Sequence, residues 1–166
     1  METHTVVINE WIFHDMNCDN GAEGQKFAYL FLTELQKSDY RIVFCEGNPW
    51  AKKAFEVMKS QIEGIRVLSK LLHSIIKDLD KTIIVSGEIK IEEYLLERVP
   101  EDDRYLVSMG IEAKASYIVT TDVHLRECIE QLAGEGRLTM KAIGKEEFYQ
   151  LLHSRDYKLR YSEGHC

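Results

Sequence analysis

The 166-residue chain contains no apolar run approaching the ~18 residues that a membrane-spanning helix needs. Its first residues, Met1 to Thr5, carry neither the basic nor the apolar segment of a signal peptide, so the expectation is a cytoplasmic protein with no membrane partner. Cysteine is sparse and unpatterned. Cys18, Cys45, Cys128 and Cys166 show no C-x-x-C spacing, which argues against a zinc site or a disulfide frame and reads as reduced, small apolar residues, with Cys166 on a loose tail. Positive charge is also in deficit: 21 Lys and Arg against 28 Asp and Glu leave a net charge of −7, too acidic for a protein that coats nucleic acid by charge alone. There are no internal repeats and no low-complexity tracts.

What is present fits one globular domain. With 45% hydrophobic and 30% charged residues, the chain can bury a proper core, and the expected domain spans residues 1–155, followed by a tail over 156–166. Thr5 to Ile8 is a β-branched run ending at polar Asn9 and Glu10, the mark of a buried first strand. Trp11, Ile12 and Phe13 continue apolar, as core or as a dimer face, and 17–24 reads as a polar loop. Helical spacing follows over 23–37, a strand over 41–45, and a helix opened by Pro49 with Trp50, Ala54, Val57 and Met58 on one stripe. A further helix over 65–79 leaves His73 on its solvated side. Then come a short strand at 82–85, a short helix over 91–98, a helix over 123–133, a strand over 138–143 and a last helix over 146–154. Strands alternating with helices predict a three-layer α/β/α sandwich with a mostly parallel sheet.

The stretch 103–124 carries the chemistry. Leu106, Val107, Met109, Gly110, Ile111 and Ala113 have helical spacing behind the acidic run Glu101, Asp102 and Asp103. Tyr117, Ile118 and Val119 form a brief buried strand that Thr120, Thr121 and Asp122 close. Taken singly, an Asp before a helix is an N-cap worth roughly 1 kcal/mol. Taken together, Asp103 and Asp122 sit at the start of a helix and the end of the strand after it, so both fall at the same edge of the sheet. That edge is where open α/β sheets bind ligands, and paired oxygen donors there suit magnesium or manganese.

The run from Asp103-Arg104-Tyr105 to Ala113, followed by Tyr-Ile-Val-Thr-Thr-Asp-Val-His-Leu (117–125), resembles the third and fourth acidic motifs of PIN domains, compact α/β metal-dependent nucleases that cut RNA. Residues 140–152 are similar to the family's closing strand and helix, and 6–12 stand where its first acidic motif belongs. The resemblance implies a ribonuclease using Mg2+ or Mn2+ held by Asn9, Glu10, Asp103 and Asp122. It makes Asp103, Asp122, Glu10 and Thr121 the candidate catalytic residues, and Lys52, Lys53 and His124 candidate contacts to the RNA. It also implies an RNA partner, an antitoxin or other protein partner if the chain is a toxin, and a homodimer.

The sequence departs from that pattern twice. Asn9 stands where the first Asp is expected, with Glu10 beside it and Trp11 two residues on. Glu10 replaces the missing carboxylate only if the strand has already ended, because neighbouring side chains of an extended strand point to opposite faces. For the second acid, a Glu in the helix after the second strand, Glu46 and Glu56 are candidates, but the aligned place falls close to Lys52 or Lys53. Asp102 stands beside Asp103 as substitute or cap. A domain of the same fold that binds nucleic acid or a protein without cutting is the alternative reading.

Overall fold

A computed structural model describes residues 4–88 and 91–162. Five short strands, β1 (Thr5–Ile8), β2 (Arg41–Phe44), β3 (Thr82–Ile84), β4 (Tyr117–Val119) and β5 (Lys141–Ile143), form one sheet in the order β3-β2-β1-β4-β5. Every pairing is parallel. The helices α1 (Trp11–Met16), α2 (Gly21–Lys37), α3 (Pro49–Met58), α4 (Glu63–Lys77), α5 (Glu93–Arg98), α6 (Arg104–Glu112), α7 (Val123–Gly134) and α8 (Lys145–Ser162) flank it in a three-layer α/β/α sandwich. Among the described residues, no helix is long and apolar enough to cross a membrane.

The chain order explains where a site forms. After β1 the chain winds outward through β2 and β3, then returns to place β4 on the other side of β1. The connections after β1 and β4 therefore leave in opposite directions and open a crevice at their carboxyl ends, the switch point at which such sheets bind ligands. β1 is the central strand, and all four of its residues are buried, as a strand covered on both faces requires. Its register pairs Val6 with Ile42 on one side and with Tyr117 on the other, and Ile8 with Val119.

Helix α6 is held against β1 and β4 by a close approach at Gly110. A Cβ there would lie 2.4 Å from the sulfur of Met140 and 3.4 Å from Cγ2 of Val7, so a larger residue would require the Met140 side chain to move. An aromatic cluster fills the layer above β1 and β2: Phe31 meets Trp11 edge-on at 4.9 Å, and Phe148 of α8 meets Tyr40 at 5.1 Å.

The strand and helix order matches expectation, and the differences have physical causes. Trp11, Ile12 and Phe13 are core rather than a dimer face, with exposures of 5%, 1% and 3%, and they form a helix where no periodic stripe announces one. Five of its six residues are buried and only His14 is exposed, so this short helix between α2 and α3 shows no repeating polar face. The loop expected over 17–24 is shorter, because α2 begins at Gly21. The last strand shrinks to Lys141–Ile143: Leu138 and Met140 are buried without joining the ladder. The tail expected from residue 156 is instead helical through Ser162, consistent with the absence of Gly and Pro from 145 to 162. Cys45 and Cys128 are buried and free, Cys18 is exposed, and Cys166 lies outside the described residues.

Candidate active site

The carboxyl ends of β1 and β4 open into a cleft lined by Asn9, Glu10, Asp103, Thr121, Asp122 and Lys145, with His14 and Asp19 on its α1 side. The structure thus gathers the four expected metal-site residues and Thr121. Neither Glu46 nor Glu56 lines this cleft: Glu46 is exposed in the turn after β2, and Glu56 faces a neighbouring groove.

Each residue is positioned by local geometry. β1 stops at Ile8, and Glu10 already has helical backbone angles (φ −68°, ψ −7°) as the cap of α1. The strand's early end is what turns Glu10 into the cleft beside Asn9 instead of to the opposite face. The Asn9 carbonyl oxygen accepts the Glu10 backbone N–H at 2.6 Å, which fixes the amide orientation, and its Nδ2 donates to Thr120 Oγ1 at 2.9 Å. Thr120 is fully buried and also accepts the Asp122 backbone N–H at 3.1 Å. Thr120 is therefore the hydroxyl that joins the ends of β1 and β4, while Thr121 is exposed at the rim.

Asp122 caps α7: its Oδ1 accepts the Leu125 N–H at 3.1 Å, leaving the cap to use one oxygen of two. Asp103 closes a single 3-10 turn, Glu101–Asp103, and precedes α6, but its side chain makes no capping bond. It is half-buried. Burial foremost, then the charges of Asp122, Asp102 and Glu10, raise its pKa above the ordinary carboxylate value, while His124 opposes the rise. The two aspartates are thus electrically coupled, and His124 stands near enough to Asp103 to act on it.

Glu10 is differently placed. Its Oε2 pairs with Lys53 Nζ at 2.5 Å and its Oε1 accepts the Tyr105 hydroxyl at 2.8 Å. Burial, then the bond to Glu10 and its charge, push the Tyr105 phenol far above its usual pKa, so it remains a neutral donor. Lys53 thus occupies the flank where the resemblance expects a second acid, and it neutralises Glu10. Lys52 is exposed alongside.

A second lysine completes the cleft. Lys145 pairs with Asp15 at 2.8 Å, and Asp15, fully buried, also accepts from Asn20 Nδ2 at 2.7 Å. The Lys145 ammonium lies 5.4 and 5.2 Å from the ring centres of Trp11 and Phe27. Tyr105, Thr120, Asp15 and Lys145 were not anticipated as site residues. Lys145 was within reach of the argument, since it follows β5 at the same sheet edge where Asp122 follows β4.

The donor set suits one hard cation rather than two. Asp103 and Asp122 keep carboxylate oxygens outside any cap, and the crowding at Asp103 is what a cation would relieve. Both oxygens of Glu10 are engaged, and the Asn9 carbonyl already accepts a backbone N–H. Among the described residues, no three His, Cys, Asp or Glu side chains gather as a ready-made cage. Compared with protein-family profiles, characterised protein sequences and solved structures, the chain matches none.

Proposed function

We propose that the protein is a PIN-like ribonuclease whose cleft holds one Mg2+ or Mn2+ between Asp103 and Asp122 and engages an RNA phosphodiester there. The observation that carries this reading is the like-charge crowding of Asp103 by Asp122 and Glu10 at the switch point of a parallel sheet. A half-buried carboxylate crowded by neighbouring acids opposes folding unless a cation or proton joins it, and Asp103 is such a group.

A bound Mg2+ or Mn2+ supplies Lewis acidity toward water and the scissile phosphate. The chain's own residues do the rest. Asp103 and Asp122 approach from α6 and from the end of β4, and Thr120 fixes the second of them by tying the Asp122 N–H to Asn9. Lys53, paired with Glu10, and Lys145, paired with Asp15, keep those two acids from adding negative charge against a phosphate. Thr121 and His124 are the rim contacts for the strand.

One observation favours a second reading. Lys53 and Tyr105 engage both oxygens of Glu10 and Asp19 pairs with His14, so of the four acids lining the cleft only Asp103 and Asp122 are left to a cation. A PIN-like domain that binds RNA or a protein partner without cutting fits that feature. Incubating the protein with labelled single-stranded RNA and manganese, with and without chelator, separates the two. Chelator-sensitive cleavage that is lost in Asp122→Asn supports the nuclease. Binding with no cleavage supports the second reading. A cytoplasmic setting, an antitoxin and a homodimer belong to the toxin form of the proposal.

A further inference from the structure

Away from the cleft, a cation-lined surface groove lies between α3 and α4. A groove there is walled by Phe55, Lys59, Arg66, Lys70 and His73, and no carboxylate lines it. In a chain of net charge −7, a groove with three cations and no acid in its wall departs from the average surface. Lys59, Arg66 and Lys70 are all exposed, and none takes part in the ion pairs found among the described residues. Arg66 and Lys70 are four residues apart on one helix, which places them about 6 Å apart along its axis.

This groove connects to the cleft. Lys59 and Ser60 also line an intermediate groove that includes Lys53. His14 and Asp19, which pair with each other at 2.9 Å, line both that intermediate groove and the acidic cleft. Glu56 is the one other acid in the intermediate wall. The ridge between α3 and α4 is firm, because Ser69 Oγ donates to the Val57 carbonyl at 2.9 Å. Phe55 is 43% exposed, yet it is fixed edge-on against Phe44 at 6.1 Å, so an apolar ring is held in place at the groove wall.

We infer that a single strand of RNA leaves the cleft past Lys53 and lies in the α3–α4 groove, with Lys59, Arg66 and Lys70 holding phosphates and Phe55 stacking a base. This rests on the reading that the cleft engages RNA. Unpaired cations beside a fixed aromatic are what sequence-tolerant single-strand binding uses: counterion release from the phosphates, and a ring that any base can cover.

The test measures binding of a labelled oligouridine of about 12 nucleotides to the full chain, in chelator so that nothing is cut, over a range of salt. Arg66→Glu with Lys70→Glu is expected to weaken binding at least about tenfold and to flatten the salt slope by about 1.4, the contribution of two phosphate contacts. Phe55→Ala is expected to weaken binding about fivefold or more with an unchanged slope. Lys37→Glu, a single charge reversal at the far end of α2 and so half the charge change of the groove double variant, is expected to act weakly, and unchanged circular dichroism spectra confirm that all variants fold. If the wild-type chain binds but the groove variants match it, the strand takes another path: this inference falls while the cleft reading stands. An effect of Lys37→Glu as large per charge as that of the groove variants would reduce the groove to net charge and overturn the inference. If polyglutamate binds equally well with the same sensitivity to the variants, the occupant is an acidic peptide rather than RNA. If the wild-type chain binds no RNA in chelator, this inference falls, and the cleft reading fails as well if the manganese assay then shows neither cleavage nor binding.

Discussion

Asp103 is the residue on which most depends, and its environment has a measurable cost. The folded chain holds the Asp103 proton more tightly than the unfolded chain does, because burial and the neighbouring carboxylates raise its pKa. Unfolding free energy from this group therefore falls as pH rises from the ordinary carboxylate value through the raised one. Asp103→Asn should remove that decline and raise the melting temperature at neutral pH in chelator, a gain that thermal melts at pH 4 and pH 7 can detect. Glu10 offers a contrasting case. Tyr105→Phe deletes a donor to a carboxylate that Lys53 still serves, and should cost about 1–2 kcal/mol in denaturant unfolding. Residue-level legibility in the sequence was mixed for the same reason. Asp103 and Asp122 were readable because helix starts and strand ends predict a shared edge. The Lys53–Glu10–Tyr105 arrangement was not, because it joins positions 43 and 95 residues apart whose facing depends on where β1 happens to stop.

At the scale of elements, two joints set the cleft. The first is Gly110, which lets α6 sit against β1 and thereby sets where Asp103 stands. Gly110→Ala would gain helix propensity of up to about 1 kcal/mol but must displace the buried Met140, and overpacking of this kind costs about 1–3 kcal/mol. The expected outcome is net destabilisation, read from a lower denaturant midpoint at unchanged slope. The second joint is the Asp15–Lys145 pair, which ties α1 to the start of α8. Asp15 is fully buried, so Lys145→Met strands a buried charge and should cost about 3–5 kcal/mol, whereas Asp15→Asn together with Lys145→Met should recover much of the loss. Most elements were legible from periodicity: β1, β2, β4, α3 and α7 lie within a residue of their expected bounds. Helix α1 was hidden because a six-residue helix with five buried positions shows no repeating stripe, and the length of α8 was hidden because Tyr157, Leu159 and Tyr161 fall at every second residue rather than at helical spacing.

At the scale of the molecule, the parallel sheet order turns one local motif into a site. With β1 between β2 and β4, the ends of two strands from opposite halves of the chain meet, and the only other requirement is that polar residues follow each strand. The alternation of strands and helices made that architecture readable. The charge balance inside the cleft was not, since counting acids along the chain cannot reveal that two of the lysines nearest the cleft carry buttressing carboxylates, Glu10 and Asp15. Net charge misleads in the same way, because a total of −7 conceals an α3–α4 groove walled by cations.

The central claim is that Asp103 and Asp122 share one divalent ion. Titrating manganese into the chelator-treated protein and following free Mn2+ by electron paramagnetic resonance tests it without reference to any reaction. The account predicts one ion per chain, with affinity reduced at least about tenfold in both Asp103→Asn and Asp122→Asn and little altered in Glu46→Gln. Binding that is absent from the wild-type chain, or that survives both aspartate substitutions unchanged, would contradict it.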